Sequence, residues 1–190
     1  HLILIDRYIE GFEHRCVWLD NFTGGQIAAR FLIANGHQKI AYIDSTLDIE
    51  DPKLRLSGFI DVLSKHDIQL NSCLTTKAEP SLHGGEIAAR KLLAQEQDFT
   101  ALFAYNDAMA IGAISVFEDH GYRVPADISV LGFDDVLISQ YSRPKLSTLR
   151  YPIEQMAERA AKLAISESTD KPVSKYIPEL VQRHSVLRIN

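Results

Sequence analysis

The chain has 190 residues, 46% hydrophobic and 24% charged, a balance that fits one ample core or two small ones and excludes a disordered chain. Its formal net charge of −5 and its lack of any Lys/Arg cluster exclude a chain that grips nucleic acid by itself, because phosphate contacts need clustered cations. No apolar run reaches about 18 residues, so no membrane span is expected. Cys16 and Cys73 share no short motif, which leaves disulfide, metal and redox readings unsupported and makes a reduced cytoplasmic protein the expectation.

The opening His1-Leu2-Ile3-Leu4-Ile5-Asp6 is too short for a signal peptide's apolar region and lacks its basic start; Leu2–Ile5 reads as a strand already inside a fold. Further strand-like runs follow at Ile40–Asp44, Leu74–Thr76, Leu102–Tyr105 and Ser129–Phe133. Helix-patterned runs at Gly25–Asn35, Lys53–His66, Gly85–Gln95 and Asp107–Asp119 alternate with them. Alternation of this kind predicts crossover units and a mostly parallel sheet, an α/β fold. Asn35-Gly36 and His120-Gly121 place glycine just past a last helical turn, where the left-handed cap costs little without a Cβ. Gly24-Gly25-Gln26-Ile27-Ala28-Ala29-Arg30 is echoed 60 residues on by Gly84-Gly85-Glu86-Ile87-Ala88-Ala89-Arg90. Two readings stand: helices packed closely through small residues, or a phosphate-binding turn, although neither copy has the spaced glycines of a dinucleotide fingerprint. Val136–Thr148 lacks a regular period and contains Pro144, so it reads as a surface connection. Pro152 suits a first helical position, and Ile153–Ser166 is amphipathic, with Ile153, Met156, Ala157, Ala160, Leu163 and Ala164 on one face. Ser166–Ser174 is polar and holds Pro172, a loop or hinge, after which Pro178–Leu187 resumes as extended chain.

Two polar pairs close consecutive strands: Asn106-Asp107 after Ala101–Tyr105, and Asp134-Asp135 after Ile128–Phe133. The intervening helix puts both at the carboxyl edge of a parallel sheet, where ligands bind in open α/β folds. An asparagine amide both donates and accepts, and an ionised aspartate accepts from two hydroxyls, so Asn106 with Asp134 suits a neutral polyhydroxylated ligand. The competing reading is structural: Asp107 caps the following helix and Asp134-Asp135 form a turn. Arg55, at the start of a helix whose dipole disfavours cations, is the third candidate; its fork could bridge ligand hydroxyls, or it is a solvated arginine. Trp18, Tyr105, Phe133 and Tyr151 could face a sugar ring or belong to the core. No Gly-x-Ser-x-Gly elbow, His-x-x-x-His spacing or Cys/His cluster supports a nucleophile or a metal, so neither a catalytic residue, a metal nor a cofactor is expected.

Tyr105–Ala113 (YNDAMAIGA) and Gly121–Asp135 (GYRVPADISVLGFDD) resemble the ligand-binding domain of the lac/gal repressor family. Asp6-Arg7, Leu19-Asp20-Asn21, Asn35-Gly36-His37 and Arg55-Leu56-Ser57-Gly58-Phe59 stand in family order, and the similarity spans essentially the whole chain. Arg143–Ile153 and Pro178–Val186 resemble the galactose-operon branch most. The resemblance implies a periplasmic-binding-protein-like fold of two doubly wound lobes, residues 21–149 plus 178–190 forming one and 1–19 plus 152–175 a partial second. It implies a sugar effector, D-galactose foremost, bound by Arg55, Asn106, Asp134 and Asp6. It also implies operator DNA read through a headpiece absent from this chain, and a homodimer joined at Leu82–Glu86, Met109–Ala113 and Val136–Tyr141. A periplasmic sugar-binding component of an ABC transporter is the alternative of similar fold.

Overall fold

A computed structural model describes residues 2–165 and 174–189. In chain order its elements are β1 (Leu4–Ile5), β2 (Cys16–Leu19), α1 (Asn21–Ala34), β3 (Ile40–Ser45), α2 (Glu50–Lys65), β4 (Thr75–Ala78) and α3 (Leu82–Leu93). There follow β5 (Ala101–Ala104), α4 (Asp107–Asp119), β6 (Ser129–Leu131), β7 (Thr148–Arg150), α5 (Ile153–Ile165), β8 (Ser174–Tyr176) and β9 (Glu179–Val181). The expected loop or hinge at Ser166–Ser174 lies, but for Ser174, outside the described residues.

The expected parallel architecture is present. A four-stranded sheet runs in the order β4-β3-β5-β6 with every pairing parallel, and a three-stranded parallel sheet runs β1-β2-β8. β2 was not among the strands read from the sequence: Cys16-Val17-Trp18-Leu19 is four apolar residues without alternation, and only its burial between two neighbours makes it a strand. β7 and β9 pair antiparallel, and single bridges from Leu131 to Ser147 and from Asp134 to Arg150 lay this ribbon beside β6.

Alternate strand residues sort the core onto two faces of the larger sheet. Tyr42, Ala101, Phe103 and Leu131 meet α1 and α2 on one, while Ala41, Ile43, Leu102 and Ala104 meet α3 and α4 on the other. A smaller core of Val17, Met156, Ala160 and Leu163 holds α5 on the three-stranded sheet, and Tyr151 and Tyr176 touch both this core and the α1–α2 side.

The repeated glycine pairs lie inside helices, which decides for close packing over a phosphate turn. A Cβ on Gly25 of α1 would stand 2.0 Å from the Arg55 carbonyl oxygen of α2, and one on Gly85 of α3 would stand 2.2 Å from the Met109 carbonyl oxygen of α4. The contacts are reciprocated by Gly58 against Phe22 and Gly112 against Leu82. Each helix pair therefore meets backbone to backbone, and Gly25→Ala is expected to destabilise the chain by about 3 kcal/mol in urea unfolding, the overpacking cost of a site that cannot yield. A loss under about 0.5 kcal/mol would show that the helices can separate there without penalty.

Other helix ends follow the sequence reading. Gly36 and Gly121 have φ of +91° and +85°, as that reading expects. In addition, the Nδ1 atoms of His66 and His120 face carbonyl oxygens one turn back at 2.9 and 2.8 Å. Two expectations are corrected. The cap of α4 is Asn106, whose Oδ1 accepts from Met109 N at 2.9 Å, and Asp107 is already helical. Within Met109–Ala113, the residues Met109, Ala110, Gly112 and Ala113 are buried against α3 and the sheet, so that segment offers little contact surface. Leu82, Leu137, Ile138 and Tyr141 of the other two segments are exposed.

Candidate functional site

In the larger sheet the chain passes from β3 to β4 on one side, then returns to β5 on the other, so the topology switches between β3 and β5. A crevice outside the carboxyl ends of strands is expected at such a point. A cavity of about 700 Å³ opens at this edge, and its opposite wall is Asp6 after β1 together with Pro152–Gln155 at the start of α5.

α2 starts three residues earlier than its apolar period suggests, at Glu50, because Glu50 and Asp51 occupy the first turn. Arg55 is thus in the second turn, where the dipole penalty invoked from sequence has largely faded. Only 2% of it is exposed. Nε and Nη2 donate to Asn21 Oδ1 at 3.2 and 2.7 Å, and Nη1 donates to the Tyr105 carbonyl oxygen. Its Cζ lies 3.4 Å from the Phe133 ring centroid and 4.4 Å from that of Tyr105, so aromatic faces and neutral acceptors hold the charge, with no carboxylate of the described residues in contact. This fixes a planar donor at the cavity wall with N–H groups to spare.

Asp134 follows β6 with φ +110°; its N–H donates to Leu149 O at 2.8 Å and its carbonyl accepts from Tyr151 N at 3.1 Å. This ladder turns the carboxylate into the cavity. Burial pushes its pKa up to about 6, Arg55 opposes the rise, and the Asp6 and Asp51 carboxylates add to it. Asp51 is raised too, by burial first and then by Asp6. The Tyr151 hydroxyl, which burial and nearby Asp6 hold above the ordinary tyrosine range, makes no hydrogen bond of normal geometry with a described residue.

Asp135, also at positive φ (+57°), points elsewhere. It accepts from Arg183 Nη2, from Arg150 Nε at 2.8 Å and from Ser139 Oγ at 3.2 Å; burial would raise its carboxyl, but the two guanidiniums of Arg183 and Arg150 hold it below the usual range. Asp107 is wholly buried, accepting from Thr148 Oγ1 at 2.5 Å and Val136 N at 2.9 Å, and burial raises its pKa to about 7. Both residues tie the 136–150 connection to the sheet edge.

Of the four residues expected at the site, Arg55, Asp134 and Asp6 line one cavity. Asn106 stands outside that lining: its Oδ1 is the helix cap and its Nδ2 donates to Pro80 O at 3.3 Å, although its neighbour Tyr105 is in the wall. Among the aromatic candidates, Tyr105 and Tyr151 face the cavity, Phe133 lies beneath Arg55, and Trp18 packs against Tyr8 in a tilted pair with 4.9 Å between centroids. Asp51, Gln140 and Arg150 also line the cavity and were not singled out from sequence. Asp51 was within reach, since a residue four before Arg55 shares its helix face. Among the described residues no group of three His, Cys, Asp or Glu is arranged to hold a metal.

A cavity at parallel strand ends, lined by a fixed guanidinium and carboxylates with room to accept, defines a small-molecule-binding domain of the α/β type. Residues 29–186 match the model of the periplasmic binding protein-like domain. The HTH-type transcriptional regulator GalR of Escherichia coli (strain K12) is 46% identical over 189 residues, covering 97% of this chain and 55% of that protein. GalS of Salmonella typhimurium (strain LT2) is 41% identical, covering 97% and 56%. The crystal structure of a sugar-binding transcriptional regulator of the LacI family from Escherichia coli, complexed with phosphate, superposes with a TM-score of 0.93 at 30% identity, covering 98% of this chain and 68% of that one. The chain belongs to the periplasmic binding protein-like domains of the LacI family. It spans about half the length of the curated relatives it matches. No described helix is long and apolar enough to cross a membrane.

Proposed function

We propose that this chain is the effector-sensing portion of a cytoplasmic transcriptional repressor, that it binds D-galactose in the cavity, and that it does not transform it. The observation that carries this reading is the immobilised Arg55 and the Asp134 carboxylate together in the lining of one cavity, donors and acceptor set for ligand hydroxyls. The relatives GalR and GalS are regulators, which favours sensing over a transport role. The lobes are residues 21–149 with 178–190 and residues 1–19 with 152–175, and sugar between them favours one arrangement of the two. Differential affinity for two arrangements then lowers the affinity of a helix-turn-helix headpiece for operator DNA. A homodimer joins through the exposed Leu137, Ile138 and Tyr141.

Calorimetry of the intact protein is expected to show saturable D-galactose binding with the sugar recovered unchanged, and operator affinity measured by anisotropy is expected to fall when galactose is added. Absence of binding heat across neutral hexoses, or appearance of a product, would refute the reading.

A further inference from the structure

The geometry points to Asp51 as a specificity-determining residue that makes the cavity reject anionic sugars, such as uronates and sugar phosphates, in favour of neutral and amino sugars. The inference rests on the sugar-binding reading above and adds the charge class of the ligand.

The cavity's charges do not balance. Asp135 is spent on Arg150 and Arg183, and that pairing also occupies the Arg150 guanidinium, which reaches Glu179 Oε2 at 3.9 Å as well. What remains facing the space is the carboxylates of Asp6, Asp51, Asp134 and Glu154 against the one guanidinium of Arg55. Three of the five Arg55 N–H groups are taken by Asn21 and the Tyr105 carbonyl oxygen, which leaves two for a ligand. The Asp51 and Asp134 carboxylates accept no hydrogen bond from any described residue, so their lone pairs are available to a ligand. Arg55 and the exposed Arg7 act against the crowding at Asp51, yet burial and Asp6 outweigh them.

A sugar hydroxyl or ammonium offers these oxygens a proton. A ligand carboxylate or phosphate offers only further acceptors and a like charge inside a half-enclosed space, which is how a site discriminates by repulsion. Asp51 is suited to the task because it projects from a helix whose next turn carries Arg55: the position that anchors the ligand and the position that screens its charge move together.

The test is calorimetry of the intact protein and its Asp51→Asn variant with D-galactose, D-galacturonate and D-galactosamine. The wild type is expected to bind galacturonate at least about 100-fold more weakly than galactose, and the variant to narrow that ratio by about 10-fold or more while losing affinity for galactosamine relative to galactose. A purely structural role would lower all three affinities together and leave the ratios unmoved, which would overturn the proposal. Asp51→Ser, equally uncharged, must move the ratios the same way and serves if the asparagine variant does not fold. A wild type that takes galactose and galacturonate equally would overturn the charge filter and leave the sugar site standing. A wild type that binds none of the three would overturn both.

Discussion

Arg55→Lys is expected to weaken D-galactose binding by more than about 100-fold in a chain that still folds, and Arg55→Ala to abolish it and also cost about 3 kcal/mol of stability. A lysine ammonium is a compact point charge. It cannot lie flat between the Phe133 and Tyr105 rings, bond Asn21 Oδ1 and the Tyr105 carbonyl oxygen at once, and still present N–H groups to a ligand. Alanine goes further, because two buried acceptors then lose their donors and the space between the rings empties. Calorimetry and urea unfolding of both variants separate the two effects. Wild-type affinity in the lysine variant would show that the fork is not used for the ligand.

Asp135→Ala is expected to lower stability by about 4 kcal/mol, the scale of breaking a buried ion pair from one side. The Arg183 side chain is only 13% exposed and would keep its charge with the Leu146 carbonyl oxygen and Ser139 Oγ as its remaining acceptors. The bond to Arg150, whose side chain is half exposed, contributes little to that figure. The sign of the pH dependence follows from the direction of the shift. Asp135 is more acidic folded than unfolded, so its contribution is complete above the unfolded carboxylate range near about 4 and fades as pH falls through the folded value. The gap between wild type and variant in thermal or urea unfolding should therefore be widest near neutrality and close in acid. An equal gap at every pH would place the loss in packing instead.

Much of the framework was legible because it is written in local patterns. Strand and helix alternation foretold the parallel sheets, and the twin Gly-Gly-x-Ile-Ala-Ala-Arg stretches mark α1 and α3, each of which meets a neighbouring helix backbone to backbone. The site was legible in part. Asp134 could be placed at the edge because it closes an apolar run, but nothing local separates it from Asp135; opposite destinations are set by Leu149, Tyr151, Arg150 and Arg183, which lie 15 or more residues further on. Asn106 is read as a ligand group from its amide, and the same amide chemistry makes it the cap of α4; its place beside Pro80, outside the cavity lining, has no local sequence signal. Asp51 escaped notice because the first turn of α2 carries no apolar period, and its acidic pair reads like any favourable helix start.

The backbone contact between Gly25 and the Arg55 carbonyl oxygen has an evolutionary consequence. Arg55, the proposed ligand anchor, also carries the carbonyl on which a neighbouring helix rests, so drift at Gly25 or Gly58 disturbs packing and, on the proposed reading, the seating of the effector as well. On the proposed reading, relatives with a new effector are channelled toward changes on the opposite wall, at Asp6 and Glu154, which take no part in the glycine-mediated helix contacts. Part of the cavity is in this sense frozen and part is open to retuning, an asymmetry that lets one scaffold diversify its inputs while keeping its frame.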